Sequence, residues 1–241
     1  MDVFKRYEYK YLVNKSLLIK LKELLAKHNF FIDDYGLSTI KSLYFDTPNN
    51  LLVTRSLDKP IYKEKLRLRG YSDSSYYLEI KKKYDGIVYK RRIKTNLNEC
   101  SSFLDYNYNY KCQIGQEINF FRDYYKELMP SMLIMYEREA YHNLDSDLRI
   151  TIDYDIRYRN YKFWDFNYEL GNKLIDGYIL LESKCSSAYP LWLVRFLSEN
   201  KIFKCSFSKY GYAYLDSLGK EYEGDVMKCK DYLNPSLAMV I

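Results

Sequence analysis

Polar and apolar residues alternate along much of this chain. In Lys63-Glu64-Lys65-Leu66-Arg67-Leu68-Arg69, the residues Lys63, Lys65, Arg67 and Arg69 hold one set of alternate positions, and Leu66 and Leu68 the other. Successive strand side chains point to opposite faces, so this spacing predicts a strand with one cationic and one apolar face. Tyr77–Lys83 likewise sets Glu79, Lys81 and Lys83 against Leu78 and Ile80, and Ile87–Lys94 aligns Lys90, Arg92 and Lys94. Asp85-Gly86 between these two is hairpin chemistry. Further strands are expected at about 5–13, 39–45, 132–142, 148–156, 161–168 and 177–185. Leu17, Leu18, Leu21, Leu24 and Leu25 recur at helical spacing and predict a helix over about 15–28. Pro190 opens another, through about Glu199, and a last one spans about 208–218. Asp46-Thr47-Pro48-Asn49-Asn50 reads as a turn, and residues 98–131, which lack alternation, as short helices and loops. The expectation is one α+β domain over residues 1–220, an eight-stranded antiparallel β-barrel with peripheral helices, followed by a polar C-terminal tail, 221–241.

Composition narrows the class. Of 241 residues, 47% are hydrophobic, enough to bury a core and to exclude wholesale disorder. The 29 tyrosines suit half-buried strands. The net charge of +6 favours an anionic partner, and Lys and Arg crowd into residues 60–94. The cysteines Cys100, Cys112, Cys185, Cys205 and Cys229 are odd in number and show no CxxC spacing, which speaks against a zinc site or a disulfide framework. With no signal pattern and no long apolar run, the expectation is a cytoplasmic protein without a transmembrane segment. The tyrosines lie within strands, outside any recognised RNA or DNA module, so nucleic acid is not the expected partner.

Cations crowded on one sheet face repel one another, so the face is either fully solvated or binds a polyanion. Other strands also carry charged faces: Arg6, Glu8 and Lys10; Arg138; Arg149, Thr151 and Asp153; and Glu182 with Lys184. Each alone fits a solvated antiparallel sheet. Converging inside a barrel, they would neutralise a chain of phosphates, with carboxylates holding a divalent metal. His28 and His142 stand in no catalytic pattern, and no Ser-His-Asp, HExxH or GxGxxG arrangement occurs. Residue patterns alone therefore reach an anion-binding β domain.

An ordered set of short motifs carries a family resemblance. They are Arg6-Tyr7-Glu8-Tyr9-Lys10-Tyr11, Ser42-Leu43-Tyr44-Phe45-Asp46-Thr47, Lys65-Leu66-Arg67-Leu68-Arg69, Leu78-Glu79-Ile80-Lys81, Lys90-Arg91-Arg92, Tyr136-Glu137-Arg138-Glu139-Ala140, Leu148-Arg149-Ile150-Thr151-Ile152-Asp153, Leu181-Glu182-Ser183-Lys184 and Phe207-Ser208-Lys209-Tyr210. In this order the chain resembles the catalytic domain of the vacuolar transporter chaperone (VTC) complex and its bacterial relatives, within the triphosphate tunnel metalloenzymes. The resemblance implies an eight-stranded tunnel binding triphosphate or polyphosphate. Lys10, Arg67, Arg69, Arg138 and Lys209 would act on the reacting phosphates, and Lys65, Lys81, Lys90, Arg92 and Lys184 would bind phosphate along the tunnel. Glu182 would ligate Mn²⁺ or Mg²⁺, with Glu8 as helper. The simple tunnel phosphatases open with Glu-x-Glu-x-Lys, whereas this chain has Arg6-Tyr7-Glu8-Tyr9-Lys10. Losing one acid favours the polymerase branch over the hydrolases. The implied reaction is transfer of the ATP γ-phosphoryl group to a polyphosphate end. Hydrolysis of tripolyphosphate or a nucleoside triphosphate, and non-catalytic polyphosphate binding, are the alternatives. A membrane partner for export would be a separate protein. The tunnel cations are expected to be unpaired when no ligand is bound, so that deleting one costs no stability.

Overall fold

The computed structural model describes residues 7–71, 75–160, 171–186 and 188–219. The strand expected at 161–168, the tail from 221 and Arg6 lie outside the described residues. In chain order the elements are β1 (Tyr7–Asn14), a 3₁₀ turn (Lys15–Leu17), α1 (Leu18–Lys27), β2 (Phe31–Ile32), β3 (Ser38–Asp46), α2 (Leu51–Leu57), β4 (Tyr62–Gly70), β5 (Tyr76–Tyr84) and β6 (Ile87–Thr95). Then follow α3 (Leu97–Leu104), α4 (Gln113–Tyr125), β7 (Met129–His142), β8 (Arg149–Asn160), β9 (Asn172–Lys173), β10 (Tyr178–Cys185), α5 (Leu191–Glu199), β11 (Lys204–Cys205) and α6 (Lys209–Ser217).

All strand pairings are antiparallel, in the order β11-β1-β10-β8-β7-β3-β4-β5-β6, with β2 added on β7 and β9 on β8. Among the described residues eight long strands are present and the ladder is open, which corrects the expected closed barrel. Among the described residues, β1 pairs on its outer side with β11, through Lys10↔Cys205 and Tyr11↔Lys204, so that stretch of edge is already occupied where β6 would dock. The sheet still curls. Lys81 of β5 lies within electrostatic reach of Glu8 and Lys10 of β1, although the two strands stand near opposite ends of the strand order.

The alternation read from the sequence sets the two faces. Outward Leu66, Leu68, Leu78 and Ile80 pack with Cys100 and Phe103 of α3 and Ile118 and Phe121 of α4. Outward Ile150, Ile152, Ile179 and Leu181 pack with Leu21 and Leu25 of α1 and Leu193 and Phe196 of α5. Each fully buried Leu or Ile contributes roughly 1.5–3 kcal/mol of hydrophobic stabilisation, so the helices fix which face of every strand points out. The cations are thereby held on the inner face. A third cluster, containing Leu12, Tyr44, Met132, Tyr136, Leu180 and Tyr210, fills part of the concave side beneath α6. Gly211 of α6 lies so close to α2 that a β-carbon there would sit 2.9 Å from Leu57 Cδ2.

Two local features needed the tertiary fold. The Asp46 turn leads into α2, which the sequence pattern does not announce. Asp46 is fully buried, and its carboxylate accepts backbone N–H groups from Leu52 and Val53 at 2.8 and 2.9 Å and the Tyr210 hydroxyl at 2.7 Å. It thus satisfies the helix's free donors and ties α2 to α6. In β8, Asp153 faces inward with Ile156, although the two differ in parity. The register shift opposite Met135–Glu137 and a positive φ of 41° at Asp155 absorb the extra residue as a bulge.

Candidate polyanion-binding site

Two charge clusters line the inner face. In the first, Arg138 of β7 donates from Nε and Nη2 to both carboxylate oxygens of Asp153 at 2.6 and 2.8 Å, a bidentate pair set by their direct opposition in the β7–β8 ladder. Arg138 Nη2 also lies 3.5 Å from Glu182 Oε2. Lys209, the first residue of α6, pairs with Asp153 and with Glu182 Oε1, the latter at 3.0 Å. Lys10, opposite Glu182 in the β1–β10 ladder, lies 3.4 Å from it and donates to the Phe207 carbonyl at 3.0 Å. Burial alone would raise the Glu182 carboxyl. Lys10, Lys209 and Arg138 outweigh it and hold the group well below the usual carboxylate range.

The second cluster centres on Glu79 of β5, whose side chain is 1% exposed. Arg67, its cross-strand neighbour, donates to Oε2 from Nε at 2.9 Å and Nη2 at 2.7 Å. Arg69 Nε lies 3.7 Å from the same oxygen, and Lys90 Nζ lies 3.0 Å from Oε1. Burial would raise Glu79, but Arg67, Arg69 and Lys90 bring it down to about 2. Tyr136 joins the clusters. Its ring lies under Lys209 and Arg138, at 4.6 and 5.2 Å, and its hydroxyl accepts from Arg69 at 3.3 Å.

Between the clusters the positive charge is less compensated. Lys65 donates to Ser208 Oγ at 3.1 Å and stands 5.6 Å from the Tyr210 ring centre. Burial first, then Lys63, Lys81 and Lys10, push its ammonium down to about 8 against the opposing pull of Tyr44. Lys81 is also lowered, chiefly by burial, and Lys90 falls to about 8 for the same leading reason. Tyr44 accepts from Arg67 Nη1 at 2.9 Å and stacks on Tyr210 with ring centres 4.4 Å apart. Burial would raise its phenol, yet Arg67, Lys65 and Arg69 bring it to about 7. Ser42 Oγ and Arg69 Nε, opposite each other in the β3–β4 ladder, are buried and lack a hydrogen-bond partner among the described residues.

Of the residues singled out from the sequence, Lys10, Lys65, Arg67, Arg69, Lys81, Lys90, Arg138, Glu182 and Lys209 thus gather on one concave surface. Lys184 and Glu8 sit toward its edge, 3.6 Å apart. Arg92 is opposite Glu79 in register, but its guanidinium packs on the Tyr77 ring at 4.6 Å. The expectation of unpaired cations is corrected, because Arg67, Arg69, Lys90, Arg138, Lys209 and Lys10 all have carboxylate partners. Buried charges require such partners. Pattern reading placed Glu79 and Asp153 on charged faces without seeing them as counter-ions. The register that pairs Glu79 with Arg67, and Asp153 with Arg138, was the missing signal. Tyr44, Tyr136 and Ser208 were named only within motifs.

Among the described residues no group of three His, Cys, Asp or Glu side chains assembles that could hold a metal alone. Glu8 and Glu182 flank the same Lys10 ammonium, at 3.7 and 3.4 Å. Glu8 is partly exposed and held below its ordinary pKa, with burial opposing and Lys10, Lys81 and Lys184 prevailing. Mg²⁺-type cations commonly take one or two carboxylates plus substrate phosphates and water. The donor set fits a metal of that kind and does not fit one caged by protein.

The domain is thus a cupped antiparallel sheet with its apolar outer faces under helices and its cations gathered on the concave side. The chain belongs to the VTC domain family, whose profile matches residues 5–216. Solved structures share the fold. A candidate adenylyl cyclase from Hippeastrum, described as having a dominant triphosphatase activity, is 17% identical with a TM-score of 0.56, covering 91% of this chain and 98% of that one. A candidate adenylate cyclase from Bacillus halodurans is 14% identical with a TM-score of 0.54, covering 83% and 92%. A protein from Pyrococcus horikoshii is 13% identical with a TM-score of 0.50, covering 88% and 99%. At these identities the likeness concerns the fold alone. No curated protein matches the chain by sequence. No helix among the described residues is long and apolar enough to cross a membrane.

Proposed function

We propose that this domain is a metal-dependent phosphotransferase that extends inorganic polyphosphate from ATP. The supporting observation is the convergence of Lys10, Lys65, Arg67, Arg69, Lys81, Lys90, Arg138 and Lys209 on one inner surface, their acids held ionised beside them. A terminal phosphate oxygen of the acceptor attacks the γ-phosphorus of ATP. The bond from that phosphorus to the β,γ-bridging oxygen breaks, and its electron pair leaves with ADP. The nucleophile is already anionic, so no base is required. Catalysis rests on positioning and charge neutralisation. Arg67, Arg69 and Arg138 present planar forks to phosphate oxygens, and the lysines act as point charges. Mn²⁺ or Mg²⁺, on Glu182 with Glu8, would supply charge neutralisation across the triphosphate.

The carboxylates fit transfer better than hydrolysis. Glu79 and Glu182 are engaged by cations and have depressed pKa values, so they are poor bases for a water molecule. The Hippeastrum structure, described as having triphosphatase activity on the same fold, keeps hydrolysis as the second reading. Incubation with ATP and Mn²⁺, followed by gel sizing and phosphate assay, separates the two. Long chains with ADP support transfer. Orthophosphate alone supports hydrolysis, and no turnover leaves a binding domain.

A further inference from the structure

The cationic lane continues past the residues assigned so far. In the β4–β5 ladder Lys65 stands opposite Lys81, and Lys63 opposite Lys83, on the same face one step further along. Like charges directly opposite in a sheet are destabilising. Lys63 donates to the Ser56 carbonyl at 3.1 Å. Its ammonium is lowered by burial first and then by Lys83 and Lys59, with no carboxylate among the causes.

The other face of the same three strands is arranged differently. There Lys82 lies 4.0 Å from Glu64, and Arg91 lies 2.8 Å from Glu117. Neither Lys63 nor Lys83 has an ion pair among the described residues. The fold neutralises the outward cations of this hairpin and leaves the inward pair uncompensated.

We propose that Lys63 and Lys83, with Lys59 beside them, form an outer subsite for inorganic polyphosphate, continuing the lane of Lys65, Lys81 and Lys90 to the rim of the trough. From Arg69 to Lys63 the strand runs six residues, roughly 20 Å, farther than a triphosphate reaches. A triphosphate seated at Arg67 and Arg69 therefore leaves this subsite empty, and a long chain fills it. The subsite deepens the proposed function and rests on that reading.

The test compares dissociation constants for tripolyphosphate and long-chain polyphosphate by calorimetry. The proteins are the wild type, the Lys63→Ala/Lys83→Ala double variant, Lys83→Ala alone, and a Lys82→Ala/Arg91→Ala control that removes equal charge from the outer face. Removing two charge-assisted contacts should weaken long-chain binding about tenfold in the inner-face double variant. Tripolyphosphate binding should stay within about twofold of wild type. Lys83→Ala, which disturbs no hydrogen bond to α2, should show part of the same selective loss. Unchanged long-chain affinity, parallel loss for both ligands, or an equal loss in the control would overturn the subsite. A wild type that binds neither ligand would overturn the polyphosphate reading itself, and the subsite with it.

Discussion

Glu79→Gln isolates the counter-ion on which the second cluster depends. The substitution keeps the shape of the side chain and removes its charge, leaving Arg67, Arg69 and Lys90 facing one another. The carboxyl falls from 4.5 to about 2 on folding. At 1.36 kcal/mol per pKa unit this corresponds to about 3 kcal/mol of stability at neutral pH. With the side chain 1% exposed, little solvent screening reduces it. A folded-state pKa below the ordinary value gives stability that is complete above about pH 4.5 and is lost as pH falls toward 2. The unliganded variant should therefore melt about 6–12 °C below wild type at pH 7, taking 2–4 °C per kcal/mol for a chain of this size. The two should converge as pH is lowered through that window. Tripolyphosphate should stabilise the variant more than the wild type, because its oxygens replace the missing carboxylate without competing with it. Thermal melts of both proteins across pH 2–7, with and without tripolyphosphate, check all three expectations. Equal melting temperatures at pH 7, or weaker ligand stabilisation of the variant, would refute the reasoning.

Tripolyphosphate at a hundredfold excess over its dissociation constant should stabilise the wild type by about 2.7 kcal/mol; a melting temperature equally sensitive to sulfate at matched ionic strength would argue for a merely solvated basic sheet. Arg138→Ala should cost several kcal/mol, since breaking a buried pair typically costs about 3–5 kcal/mol and Asp153 would retain only Lys209; Arg138→Lys should keep more of the fold yet lose turnover, and a fully active Lys variant contradicts the fork-like role. Glu182→Gln should abolish the response to Mn²⁺ in an activity titration while tripolyphosphate binding persists; a preserved metal response would move the ligand to Glu8 or Asp153. Unliganded stability should rise between about pH 7 and 10, read from urea midpoints. The burial penalty on charged Lys65 is full below its folded pKa of about 8 and is relieved above it, and Tyr44, at about 7 instead of 10, adds stability over the same window. A flat profile, or one unchanged in Tyr44→Phe, counts against this.

Which residues share a face could be read from local pattern. A period of two is a local property of extended backbone, so Lys65, Arg67 and Arg69 opposite Leu66 and Leu68 could be read before any fold was known, as could the Asp85-Gly86 turn, where φ is positive at both residues. The ordered motifs carried the family for the same reason. Strand pairing belongs to the tertiary structure, because it joins residues far apart in the chain. Only the ladders put Glu79 beside Arg67 and Asp153 beside Arg138, turning an expected row of bare cations into compensated clusters. Only the packing of α6 into the trough brought Lys209 to Glu182 and Ser208 to Lys65. The short helix α2 carries too few residues to show a period, and the buried Asp46 carboxylate that fixes it accepts from Tyr210, 164 residues away. Closure of the sheet was likewise beyond local pattern, since a two-residue strand, β11, occupies part of the edge of β1 that a barrel would need.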